Sequence, residues 1–193
     1  MKLWGKNYSL NKQIEKFTVD NDCIIDQKLI KYDCAASIAH AKMLAKIGIL
    51  SKDECNKIIG ELNKMIKLDS IGKFTIKQED EDGHTSIEKH LTQNLGKVGK
   101  KIHTARSRND QVLTALRLYY KDEIKTVLKL IDNLVGSLLI LKEKYGNVEM
   151  PGYTHMRKAM PSSVGLWAGA FIESMKDNKI LLSNVYKLID QSP

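Results

Sequence analysis

Between residues 109 and 145 the chain has no proline and a single glycine, Gly136. Nothing in the backbone therefore interrupts a helix of about 37 residues, roughly 55 Å long at 1.5 Å per residue. Val127, Ile131, Leu134, Leu138, Leu141 and Tyr145 recur at steps of four and three, and Leu128, Val135 and Leu139 form a second apolar stripe beside them. After a turn at Pro151 the pattern restarts. Val164, Trp167, Ala168, Phe171, Met175, Leu182, Val185 and Ile189 predict a second long helix up to Gln191, with Pro193 ending it. Two antiparallel helices cannot cover both stripes of each other, so the remaining apolar surface requires further helices, from other chains or from sequence outside these 193 residues. The expected fold is all-α, and the chain reads as the front part of something longer.

The amino-terminal portion has shorter helical signals. Residues 35 to 47 place Ala35, Ile38, Ala39, Met43, Leu44 and Ile47 at helical spacing, and Gly48 suits the stop. Ser51-Lys52-Asp53-Glu54 is a capping box, because the Ser51 hydroxyl can accept from the Glu54 N–H while the Glu54 carboxylate reaches back. The helix it opens presents Cys55, Ile58, Ile59, Leu62, Met65 and Ile66, and ends near Gly72. Residues 4 to 26 are polar and irregular, and are expected to be an arm ordered by another surface. The expected organisation is an amino-terminal helical domain over residues 1–107 and the first long helices of a central helical-bundle domain over 108–193.

Composition narrows the function classes. The balance of 31 Lys and Arg against 23 Asp and Glu gives a net charge of +8, which favours anionic partners. The lysines are scattered through amphipathic helices without interleaved aromatics, so they read as a solvated surface and not as a nucleic-acid stripe. The first eight residues have no apolar leader, and no run of about 18 residues is free of charge, so no membrane partner is expected and the location expected is cytoplasmic. Cys23, Cys34 and Cys55 are odd in number and lack C-x-x-C spacing, which argues for buried, reduced thiols and against a zinc site.

Two segments can carry chemistry. Ser107 is a candidate N-cap for the long helix with Asp110 at its third position, which gathers Arg106, Arg108 and Asn109 around unpaired helix N–H groups, a setting for a carboxylate. Equally, the arginines can pair with the acidic run Glu79-Asp80-Glu81-Asp82 and only pin the helix start. In Pro151-Gly152-Tyr153-Thr154-His155 a histidine stands beside a hydroxyl in a turn between long helices, and imidazole exchanges a proton near neutral pH. Asp80, Asp82 and His84 could in principle face one ion, but acidic residues ahead of Thr85-Ser86-Ile87-Glu88 suit a helix N-terminus better, and no metal is expected. His40, His90 and His103 fall in helical patterns and are expected to be structural.

Trp4-Gly5, Tyr32-Asp33-Cys34-Ala35-Ala36-Ser37-Ile38-Ala39-His40-Ala41, Glu81-Asp82-Gly83-His84, residues 99 to 112 and Met150-Pro151-Gly152-Tyr153-Thr154-His155 together resemble the argininosuccinate lyase family, a branch of the fumarate-releasing lyases. The resemblance implies cleavage of argininosuccinate into arginine and fumarate, as in arginine biosynthesis, without metal or organic cofactor. It implies that Asn109 and Thr154 contact the substrate with Arg108 at the same helix start, that His155 transfers the proton, and that Asp82, His84, Arg106 and Ser107 support the site. It also implies a homotetramer in which each site draws on three chains. Three departures stand out: Gly83 where a bulkier apolar residue is usual, Met156-Arg157-Lys158-Ala159-Met160 for a more common Leu-Gln-Arg-Ala-Gln, and Asp22 near a position where many relatives carry a substrate-contacting serine. The family's Gly-Ser-Ser-x-x-Met-Pro-x-Lys-x-Asn loop, source of a further catalytic residue, is not among the 193 residues, so the chain alone is expected to be inactive. The alternative is a non-catalytic helical oligomerisation module on the same fold.

Overall fold

The computed structural model describes residues 11–192; Trp4-Gly5 and Pro193 lie outside them. The described residues separate into two compact units, one running to Tyr119 and taking in Ser192, the other Tyr120–Gln191.

The first unit opens with α1 (Lys12–Val19), whose N-cap Asn11 accepts from the Gln13 N–H at 2.9 Å, and α2 (Asp22–Asp26). The described part of the segment expected to be irregular is therefore largely helical. Elements this short and polar show no apolar period, so a capping side chain is their only sequence signal.

A 3-10 turn at Gln27–Leu29 leads into α3 (Ile30–Lys46), and Gly48 at φ +82 gives the left-handed residue that stops it. The buried face of α3 is Ile30, Cys34, Ser37, Ala41 and Leu44. The expected face was different: Ala35, Ala39, Met43 and Ile47 are exposed, and only Leu44 is buried. The helix starts five residues earlier than its apolar run, and counting from Ile30 selects another stripe. Burial follows the direction of that stripe and not side-chain size, since Ala41 and Ser37 are buried while Met43 and Ile47 are exposed.

The capping box forms as expected at the start of α4 (Lys52–Ser70), with Glu54 N–H to Ser51 Oγ at 3.1 Å and Ser51 N–H to Glu54 Oε2 at 2.9 Å. Cys55, Ile58, Leu62 and Met65 pack against α3, and Ile87 and Leu91 of α5 (Gly83–Leu95) close the same core. Each such side chain contributes about 1.5–3 kcal/mol when fully buried. The short α6 (Lys97–Lys100) and a 3-10 turn at Lys101–His103, which buries Ile102, lead to α7. Cys34 and Cys55 are buried and all three cysteines are free, with burial pushing the Cys34 thiol pKa up.

The long helix is real: α7 runs unbroken over Arg108–Tyr145, 38 residues. Its first turns belong to the first unit, where Gln111 and Ala115 are buried and the Tyr119 ring meets Tyr32 edge-on at 5.7 Å.

The second unit holds the rest of α7, a hairpin of β1 (Glu149–Thr154) and β2 (Arg157–Ser163), and α8 (Val164–Leu188). The Pro/Gly turn expected here is thus an antiparallel hairpin. A two-stranded ribbon has only edges, so it tolerates the facing pair Pro151 and Pro161. Its register shifts between Pro151 and Tyr153, where a Cβ on Gly152 would come within 2.7 Å of Met160 Sδ. Only Ile131, Ala168 and Ile172 are buried among this unit's hydrophobic side chains, while Leu130, Leu134, Leu139, Ile140, Trp167 and Phe171 stay exposed. The two expected stripes are thus only partly uncovered: Ile131 is buried, Leu128, Val135, Leu138 and Leu141 are half-buried, and Val127, Leu134, Leu139 and Tyr145 are exposed, while the exposed Leu130 and Ile140 lie outside both stripes. No helix of the described residues is long and apolar enough to cross a membrane.

Candidate functional site

The start of α7 is built by its own side chains. Ser107 Oγ accepts from the Asn109 N–H at 3.2 Å, and Asp110 Oδ2 accepts from the Ser107 N–H at 2.9 Å, the reciprocal cap that the sequence predicts. Arg108, the first helical residue, is half-buried. Its Nη2 donates to Thr85 Oγ1 at 2.6 Å and its Nη1 to Asp82 Oδ2 at 3.4 Å. Asn109 beside it is exposed.

Asp82 has two tasks. Its Oδ1 caps α5 by accepting from the Thr85 N–H at 2.8 Å, and its Oδ2 faces Arg108 and lies 3.1 Å from His84 Nε2. That approach is off the hydrogen-bonding direction, which leaves His84 Nε2 buried without a hydrogen-bond partner. Burial holds the His84 pKa below its ordinary value, against the opposing attraction of Asp82. Asp26 closes the cluster by accepting from the Gly83 N–H at 2.9 Å, and burial raises its pKa. Gly83 leaves no void: a Cβ there would lie 3.3 Å from Ile30 Cδ1.

The candidate residues divide between the units. Asp82, His84 and Arg108 come together in the first unit with Ser107 and Asn109 adjacent. Arg106 turns away and donates from Nη1 to Ser37 Oγ at 3.0 Å. Pairing of arginine with the acidic run thus holds for Arg108 with Asp82 and not for Arg106. Asp80 faces Ser86 and Lys89. His40 Nε2 donates to Thr104 O at 3.0 Å and His90 meets Glu61 at 3.3 Å, both structural contacts. Thr154 and His155 lie in the second unit at the tip of the hairpin. Both are exposed, and His155 and Met156 have φ of +49 and +63, the pattern of a two-residue type I′ turn.

Sequence reading missed Asp26, Thr85, Asp33 and Gln111. Asp26 lay in the segment read as irregular, and Thr85 was read only as part of a helix start. Asp33 and Gln111 are polar residues on helix faces that give no periodic signal of burial.

Residues 2–193 match the model of the family described as Lyase. Over 192 residues the chain is 53% identical to an argininosuccinate lyase of Thermotoga neapolitana and 44% identical to one of Bacteroides fragilis. Both alignments take in all of this chain but 48% and 43% of the relatives, so the chain spans about half the length of the curated relatives it matches. Among solved structures, a fumarate lyase:delta crystallin from Brucella melitensis aligns with a TM-score of 0.75 at 17% identity, over 93% of this chain and 46% of that one. At that identity the likeness is one of fold alone.

Proposed function

Since the chain belongs to the lyase family over residues 2–193, we propose that it is the amino-terminal part of an argininosuccinate lyase, which splits argininosuccinate into arginine and fumarate. In this reaction a base removes a proton from the carbon next to one succinyl carboxylate, and the C–H electrons become the new double bond. The C–N bond breaks, and its pair stays on the guanidino nitrogen, which takes up a proton. Negative charge develops on the carboxylate next to the deprotonated carbon, so fixed donors there lower the barrier.

The residues divide these tasks. Asn109 and Arg108 bind a carboxylate at the start of α7, where the helix dipole adds to the guanidinium charge. Thr154 adds a hydroxyl donor, and His155 is the proton-transfer group. Asp82 orients Arg108, with His84, Arg106 and Ser107 in support. None of these steps uses a metal or organic cofactor. The assembly is a cytoplasmic homotetramer in arginine biosynthesis, and the 193 residues alone do not turn over. The observation that carries the reading is the guanidinium of Arg108, held by Asp82 and Thr85 at a helix N-terminus beside the exposed Asn109 amide.

The second reading, a non-catalytic helical module, draws on the exposed apolar side chains of α7 and α8. Titration of the chain with fumarate, followed on the amide signals of Arg108 and Asn109, separates the two. Saturable shifts that disappear in Asn109→Ala support the lyase, and no shift at millimolar fumarate favours the module.

A further inference from the structure

Asp33 has no part in the site described above, yet it is a carboxylate with 5% of its surface exposed. Gln111 Nε2 lies 2.7 Å from its Oδ1 and 2.9 Å from its Oδ2, and Ser37 Oγ donates to Oδ1 at 3.1 Å. Ser37 in turn accepts from Arg106, and His40, farther along α3, donates to Thr104 O. Asp33, Ser37 and His40 stand at i, i+4 and i+7, one stripe of α3. Their partners Thr104, Arg106 and Gln111 bracket Ser107, Arg108, Asn109 and Asp110. Within the bracketed turn Ala105 takes φ +55, a left-handed conformation that a non-glycine residue keeps only where its surroundings fix it.

A polar stripe on a buried helix face is costly for folding. Ionised carboxylates resist burial, and the Asp33 pKa is pushed up to about 6 by it, against the pull of Gln111, Arg106 and Ser37. An apolar side chain would pack there without that cost, but would leave Gln111 and Arg106 without a fixed direction.

We propose that Asp33 is a positioning residue, which with Ser37 and His40 fixes residues 104–111 on α3 so that Arg108 and Asn109 are presented in a single geometry. What Arg108 and Asn109 bind rests on the lyase reading; the tethering of the turn does not.

The test is amide hydrogen exchange by NMR on the 193-residue chain and on Asp33→Asn, without ligand. The asparagine offers one oxygen and an NH2 to donors that had two oxygens, so the amides of Ser107, Asn109 and Gln111 should exchange about tenfold faster, with those of Ile58 and Leu62 in α4 changing less than about twofold. The Arg108 and Asn109 signals should also move. Unchanged exchange at all three amides would overturn the proposal, and so would equal acceleration at Ile58 and Leu62, which makes Asp33 a general stability group. If Asp33→Asn does not fold, Gln111→Met severs the same link from α7 and is read by the same amides. Fumarate is absent throughout, so the fumarate titration and this experiment fail separately.

Discussion

Arg108 Nη2 donates to Thr85 Oγ1 at 2.6 Å, a bond that ties the first residue of α7 to the first turn of α5. The same two turns share Asp82, which caps α5 with one oxygen and faces Arg108 with the other. The direction of the guanidinium is therefore set by two helix starts at once.

Thr85→Val keeps the shape of the side chain and removes its acceptor. Arg108 is 37% exposed, so water replaces part of the bond, and the loss is expected near about 1 kcal/mol, or roughly fivefold in fumarate affinity. Calorimetric titration measures it, and equal affinities would remove Thr85 from the account.

Ser51→Ala opens the capping box of α4 and is expected to cost about 1 kcal/mol of unfolding free energy. Urea denaturation followed by circular dichroism reads this directly. An unchanged midpoint would mean that Glu54, which also meets Lys101, holds the helix start alone.

Asp33 gives a pH dependence of defined sign. Its pKa rises from 3.8 unfolded to about 6 folded, so the native state holds this proton more tightly. Below about pH 4 both states are protonated and the group is neutral for stability; as pH rises towards 6 the ionised form is disfavoured by burial and stability falls, by up to roughly 3 kcal/mol. Asp26, raised in the same direction, and Arg106 face the same region, so the informative quantity is the difference between wild type and Asp33→Asn. That difference should change between pH 4 and 6 and then level off, whereas parallel curves would contradict the assignment.

The exposed stripes of the second unit predict self-association. Leu130 and Leu134 are 59% and 48% exposed on α7, more apolar surface than a monomer keeps in water without consequence. Light scattering of the chain is expected to report a dimer or larger species, and Leu130→Lys with Leu134→Lys is expected to shift it towards monomer. A monodisperse monomer of the unmodified chain at high micromolar concentration would contradict this.

The sequence was most legible where a local rule acts without competition. The α7 helix follows from an uninterrupted backbone, and the Ser51 and Ser107 caps from side chains that satisfy neighbouring N–H groups. It was least legible where tertiary packing chooses between faces. Ala35, Ala39 and Met43 have the right period but lie off the face that carries Ile30, Cys34, Ala41 and Leu44 into the core. The hairpin around Gly152 was hidden by its prolines, which weaken any strand signal although a two-stranded ribbon admits them. Within the site, Arg108 and Asp82 could be paired from charge alone. Asp26 could not, and neither could the Asp33–Gln111 contact outside the site, since a buried polar residue is recognised by its partners, and those partners are distant in sequence.

The most direct measurement is fumarate release from argininosuccinate, followed by ultraviolet absorbance, in a chimera that joins this chain to the remaining half of the Thermotoga neapolitana relative. The account predicts turnover in the chimera and, in His155→Asn, a loss of about a hundredfold or more in kcat, with fumarate still bound through Arg108 and Asn109. Undiminished turnover in His155→Asn would contradict it.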